Sequence, residues 1–174
     1  MSELHDKIEE IRSNESFLEK IKRWIPGYDG YVNRDNSREL DTMLRNKLAQ
    51  MLEVNKTKIK NTTLNLSKNG KLFLTSDIEK IDKKNELIIG KFKTASRGYS
   101  GAFDVKKIKE EELNKLYEFD MNMLNDAGKI NRMFEELETM SEANNDISVN
   151  VKQISACQDS ILQSFDEREM ILKA

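Results

Sequence analysis

The sequence predicts an all-α protein, an elongated antiparallel bundle of about five helices with coiled-coil-like packing. Three observations lead there. Apolar residues recur at three- and four-residue steps over long stretches, which gathers them on one face of a helix. One proline and seven glycines in 174 residues leave little to interrupt such helices. Charged residues make up 34% of the chain and the AVILMFWYC set 37%, a balance that suits thin rods burying one stripe each better than a thick core. The chain, 1–174, reads as a single helical domain.

The first helix is expected over about 2–24. Leu4, Ile8, Ile11, Leu18, Ile21 and Ile25 share one side of it, with an interruption at Asn14 and Glu15. Ile25-Pro26-Gly27 ends it, because the residue before proline is pushed out of the helical region. A glycine and aromatic loop follows over 26–36. The second and third helices fill about 38–97. Asp35-Asn36-Ser37 offers three good N-cap residues, and Leu40, Leu44, Leu48, Met51, Ile59 and Leu66 keep one phase to Lys68, which favours a single helix up to that point. Asn69-Gly70 then supplies a left-handed stop. So short a link makes the third helix antiparallel to the second.

The third helix carries the clearest pattern. Leu74, Ile78, Ile81, Asn85, Ile88, Phe92, Ala95 and Tyr99 are spaced 4,3,4,3,4,3,4, a heptad seam. Asn85 either sets register within it or faces water at its edge. The apolar content of this seam places the third helix at the centre of the bundle. A second glycine and aromatic loop spans 97–108. The fourth and fifth helices occupy about 109–172, with Leu113, Leu116, Tyr117, Leu124, Ala127, Ile130, Phe134 and Leu137 on one side of the fourth. In the fifth, Ile147, Val151, Ile154, Gln158, Ile161, Phe165, Arg168 and Leu172 repeat the 4,3 spacing. The polar stretch 141–146 between them is either a hairpin turn or part of one continuous rod.

Net charge is −2, which argues against a general polyanion binder. Lys56 to Arg97 nonetheless carries a net of +7, and Asp104 to Glu142 a net of −5. Two neighbouring helices with complementary fields explain this, and a basic face for acidic lipid or nucleic acid is the competing reading. No nucleic-acid module is recognisable. Cys157 is the only cysteine and His5 the only histidine. Cys157 reads as an inert thiol among apolar neighbours. No catalytic, cofactor-binding or metal-ligating set is expected, and Asp104, Glu118 and Asp120 read as surface charge on solvated helices. The first ten residues do not resemble a signal peptide and no apolar run approaches bilayer length, so a cytoplasmic location is expected.

Two loops, Pro26-Gly27-Tyr28-Asp29-Gly30-Tyr31-Val32-Asn33-Arg34 and Arg97-Gly98-Tyr99-Ser100-Gly101-Ala102-Phe103-Asp104, share one end of the predicted bundle. Their aromatics either close the bundle as a small core or form a docking patch of Tyr28, Tyr31, Arg34, Arg97, Tyr99 and Phe103. A third reading has the amides of Arg97 to Gly101 holding a phosphate, without the strand, lysine or spacing of a phosphate loop. The same loops, with Leu116-Tyr117-Glu118-Phe119-Asp120 and Phe165-Asp166-Glu167-Arg168-Glu169, resemble a group of prokaryotic helical proteins with a Gly-Tyr-x-Gly-x-Phe-Asp signature. The resemblance implies an all-helical protein and brings no activity, catalytic residue or cofactor.

The expected function is therefore that of a helical interaction protein, an adaptor or scaffold acting on a protein partner or on a second copy of itself. The alternative is a peripheral membrane protein lying on its first helix, although six acidic against five basic residues in Met1 to Ile25 oppose attraction to anionic lipid.

Overall fold

In the computed structural model, residues 17–30, 37–94 and 110–173 are described, together with Glu9 and Arg12. All secondary structure among them is helical, with no strand. Residues 17–24 form the described part of α1. It is followed by α2 (Ser37–Glu53), α3 (Asn55–Lys68), α4 (Thr75–Thr94), α5 (Glu110–Glu142) and α6 (Ser148–Lys173).

Burial follows the 3.5-residue stripes. Ile78, Ile81, Asn85, Ile88 and Phe92 of α4 are all buried, as are Ile147, Ile154, Gln158, Ile161, Phe165, Arg168 and Leu172 along α6. Leu40, Leu44, Leu48, Met51, Ile59 and Leu66 line the inner side of α2 and α3.

Two turns reverse the chain at one end. After α3, Lys71 N–H donates to Leu66 O (2.8 Å) and Gly70 N–H to Ser67 O (3.2 Å), the paired bonds of a Schellman stop. Gly70 at φ +70 occupies its left-handed position. The α5–α6 connection repeats the motif with Asn144 at φ 60: Asn145 N–H donates to Met140 O (2.9 Å) and Asn144 N–H to Ser141 O (3.2 Å). Asp146 Oδ1 then accepts from Ser148 N–H (3.0 Å) and Ser148 Oγ (2.7 Å), capping α6. Helices α5 and α6 are thus a hairpin, not one rod.

The rods form a ring. Helices α2 and α3 run up, α4 down, α5 up and α6 down. Contacting pairs rise together between α3 and α5, as in Asn55–Asn131, Asn61–Glu138 and Asn65–Ser141, so these helices are parallel. The same holds for α4 and α6, through Gln158 with Ile81, Lys84 with Asp159 and Lys91 with Asp166. Packing is extensive between α5 and α6, α5 and α3, and α2 and α4. Thus α4 faces α5 across a diagonal, and α6 faces α2 across the other.

Two expectations are corrected. A single second helix to Lys68 is replaced by two, separated at Val54. Val54 and Asn55 are poor helix formers, and Asn85 Nδ2 donates to Leu52 O (3.2 Å), serving a carbonyl in the last turn of α2. The most connected rod is α5, not α4. At about 50 Å, from 33 residues at ~1.5 Å each, α5 buries a broad arc including Leu116, Tyr117, Met123, Leu124, Ala127, Ile130, Phe134 and Leu137. The α4 seam is narrower.

The described part of α1 lies over α2 and α5. Ile21, Ile25 and Tyr28 are buried, and a Cβ added at Gly128 of α5 would stand 3.2 Å from Trp24 Cη2. The side of α1 that bears Ile21 faces the bundle. Pro26 and Gly27 take the central positions of a turn closed by Tyr28 N–H to Ile25 O (3.2 Å). At Gly30, φ is +84 and a Cβ would fall 2.7 Å from Tyr117 Oη and 2.9 Å from Leu18 Cδ2. Gly30→Ala is expected to destabilise the fold by roughly 1–3 kcal/mol. Gly90→Ala, inside α4 with nothing within 4 Å of the added carbon, should stabilise it by about 0.5–1 kcal/mol. Urea unfolding of the two variants beside the parent checks both signs.

Candidate functional site

Of the six residues of the predicted docking patch, Tyr28 alone belongs to the described residues. Tyr31, Arg34, Arg97, Tyr99 and Phe103 lie outside them. Tyr28 is fully buried, and its hydroxyl donates to Asp120 Oδ2 at 3.0 Å. Its ring closes the bundle and does not face a partner.

That hydrogen bond leads into a buried ionic cluster. Arg168 of α6 is 0% exposed. Its Nε donates to Asp120 Oδ1 on α5 at 2.6 Å, and its Nη2 reaches Asp41 Oδ1 on α2 at 2.7 Å, across the diagonal of the ring. Asp41 Oδ2 also accepts from Arg45 Nε at 2.8 Å, and Arg45 Nη1 donates to Phe92 O on α4 at 2.8 Å. Glu169 Oε1 lies 3.8 Å from Arg168 Nη1. Two guanidinium groups and three carboxylates thus join α2, α4, α5, α6 and the turn after α1. Asp120, expected on a solvated face, is 0% exposed.

The sequence holds traces of this cluster. Arg168 occupies a seam position in the 4,3 repeat of α6, and Asp41 and Arg45 are spaced i,i+4 beside the stripe residues Leu40 and Leu44. Desolvating each ion costs several kcal/mol, which multidentate pairing must offset. Such a cluster selects one packing more than it adds stability. With Asp41, Arg45, Asp120 and Arg168 at most 2% exposed, no substrate reaches them.

On the flanks, the ion pairs stitch α4 to its neighbours: Lys84–Asp159 and Lys91–Asp166 to α6, Lys56–Glu86 to α3, and Lys93 with Glu53 to α2. The basic charge of α4 is therefore met by α2 and α6; the acidic α5 is not its neighbour. Lys93 also holds the Glu53 carboxyl below its ordinary range.

A groove of about 480 Å³ between α5 and α6 is lined in part by Asp126, Lys129, Cys157 and Ser160. Burial and the nearby Asp126 carboxylate push the Cys157 thiol up, and its Sγ lies 3.9 Å from Asp126 O. Burial also raises the Asp126 carboxyl. A thiol held protonated is a poor nucleophile. Among the described residues no group of three or more His, Cys, Asp or Glu is placed to hold a metal ion, and no helix is long and apolar enough to cross a membrane.

The opposite end of the bundle is open. A short 3₁₀ turn, Leu72–Leu74, joins α3 to α4. Leu72 is 63% exposed and Phe73 75%, and Val149 at the start of α6 is 64% exposed. Lys71 Nζ donates to Asn144 O (3.1 Å) and Asn69 Nδ2 to Ser141 O (2.9 Å), which fastens the two turns together. Beside them a groove of about 400 Å³ runs between α4 and α6, with Leu74, Ile81, Ile147 and Val151 as its apolar lining and Lys80 and Lys152 among its polar residues. Leu72 and Phe73 fall outside the 74, 78, 81 phase of the seam, and this is why the bundle leaves them in solvent.

The chain matches no family model, no curated protein and no solved structure. The resemblance to the Gly-Tyr-x-Gly-x-Phe-Asp group rests on the quoted residues alone.

The buried cluster and the flanking pairs differ in worth. Asp41→Ala, which takes a buried carboxylate from two guanidinium groups, should cost about 3–5 kcal/mol. Asp166→Ala removes an exposed partner of Lys91 and should cost less than about 1 kcal/mol. Chemical denaturation of each variant at neutral pH distinguishes the two.

Proposed function

We propose that the chain is a helical interaction protein, an adaptor or scaffold, that docks a protein partner where the α3–α4 and α5–α6 turns meet. The observation that carries this reading is the exposure of Leu72 and Phe73 side by side in the turn that leads into Leu74, the residue with which the apolar groove begins. The other large exposed apolar residues, Val54, Leu64, Leu87 and Met170, are spread over separate stretches of the rods, and scattered residues of this kind are ordinary on a protein surface. Two consecutive exposed apolar side chains in one turn are a different matter.

The chemistry of the end suits docking and little else. Full burial of a Leu or Phe side chain is worth roughly 1.5–3 kcal/mol, so Leu72 and Phe73 together supply a large part of a micromolar affinity. The paired turns below them hold the backbone in place, so ordering costs on binding are small.

The test is affinity capture by the full chain beside a Leu72→Ser, Phe73→Ser double variant, with light scattering on both to register self-association. Capture or self-association by the parent that falls at least about tenfold in the variant, at equal helicity, supports the proposal. A monomeric parent that retains no partner, or a variant that retains the same one, contradicts it.

A further inference from the structure

We propose that the docking of the segment after α1 and the seating of the C-terminal end of α6 form one coupled event, transmitted through the two oxygens of the Asp120 carboxylate. The two chain segments are far apart in sequence, yet both end on this group. Oδ2 accepts from the Tyr28 hydroxyl at 3.0 Å, and Oδ1 from Arg168 Nε at 2.6 Å. Tyr28, Asp120 and Arg168 are each 0% exposed.

The coupling follows from the stiffness of a carboxylate. Its two oxygens move together about a single bond, so the Tyr28 hydroxyl that orients Oδ2 also aims Oδ1 at Arg168. Withdrawal of Tyr28 takes a donor from a buried charge and shifts the alignment of the carboxylate, which weakens a charge-assisted bond whose strength depends on that alignment. In the reverse direction, lifting Arg168 takes a guanidinium from Asp120 Oδ1 and disturbs the acceptor that holds Tyr28. Arg168 also carries the signal onward, since its Nη2 holds Asp41, and Asp41 holds Arg45 against Phe92 O.

The segment bearing Tyr28 is well suited to such a role. Among its described residues, Phe17, Leu18, Ile21, Trp24, Ile25 and Tyr28 pack against the core, and the Tyr28 hydroxyl gives this apolar contact a polar anchor on α5. A ligand or protein that captures either segment therefore loosens the other. The turns at Gly70 and Asn144, at the opposite end and held by their own backbone bonds, stay outside this linkage.

Backbone hydrogen exchange on the full chain, read by mass spectrometry, tests this with Tyr28→Phe, which removes only the hydroxyl. Peptides covering residues 17–28 and those covering 162–172 are both expected to exchange at least about fivefold faster, while those covering 66–75 keep the parent rate. Acceleration confined to 17–28, or equal acceleration throughout, overturns the proposal. Arg168→Lys keeps the charge and changes the alignment; it should speed exchange in 17–28, and adding Tyr28→Phe to it should produce less than the product of the two single effects. Independent, multiplying effects would also overturn it.

Discussion

Each rod of this protein owns a single apolar stripe, and the fold follows from having to bury those stripes against one another. With 37% hydrophobic residues there is material for one shared seam and no second layer. The seam is blind to residue type once its phase is set. Positions that repeat at 3.5 residues are carried inside even where they hold Asn85, Gln158 or Arg168. Buried polar groups must then find partners, and each does so on another helix: Asn85 on Leu52 O, Gln158 on Ile81 O, Arg168 on two carboxylates. Those bonds fix which helices lie side by side and at what register.

The Arg168 cluster shows how much one such position determines. A guanidinium is long, planar and always charged, and it can grip two carboxylates at once. From α6 it reaches Asp41 on the diagonal rod and Asp120 on the adjacent one. No slipped register of α6 would keep both. The two ends of the molecule differ accordingly. The cluster end is closed by charge pairing and by Tyr28, whereas the turn end is held by backbone hydrogen bonds and leaves Leu72, Phe73 and Val149 in solvent.

Much of this was legible in the chain and some was not, for physical reasons. Helix type and phase come from local spacing, and Asn69-Gly70 gives a local stop, so both can be read directly. The hairpin after Met140 is local as well, but its key residue is Asn144 in a left-handed conformation, a weaker cue than glycine. The break at Val54 is only partly local: Val54 and Asn55 are weak helix formers, and the Leu52 carbonyl beside them is served by Asn85 from another helix. The burial of Asp120 depends on an arginine 48 residues away, and a carboxylate flanked by Glu118 and Asn122 gives no sign of it. The run of lysines in α3 and α4 suggested a match with the acidic α5. It holds for α3, which packs on α5 and whose Lys58 reaches Asn131 O, but neighbour relations in a ring are set by packing, and the α4 lysines meet α2 and α6 instead. Leu72 and Phe73 were readable in principle as apolar residues off the phase of the seam.

Arg168 is a charged side chain sealed inside a helical bundle by the phase of its own helix. Solvent exchange of the Arg168 Nε–H proton, followed by nitrogen-resolved NMR at neutral pH, measures that directly. The structure predicts a persistent resonance, protected to a degree comparable with core amides such as those of Ile130 and Phe134. Exchange as fast as that of an arginine in a short peptide, in a chain that retains its full helicity, would contradict it.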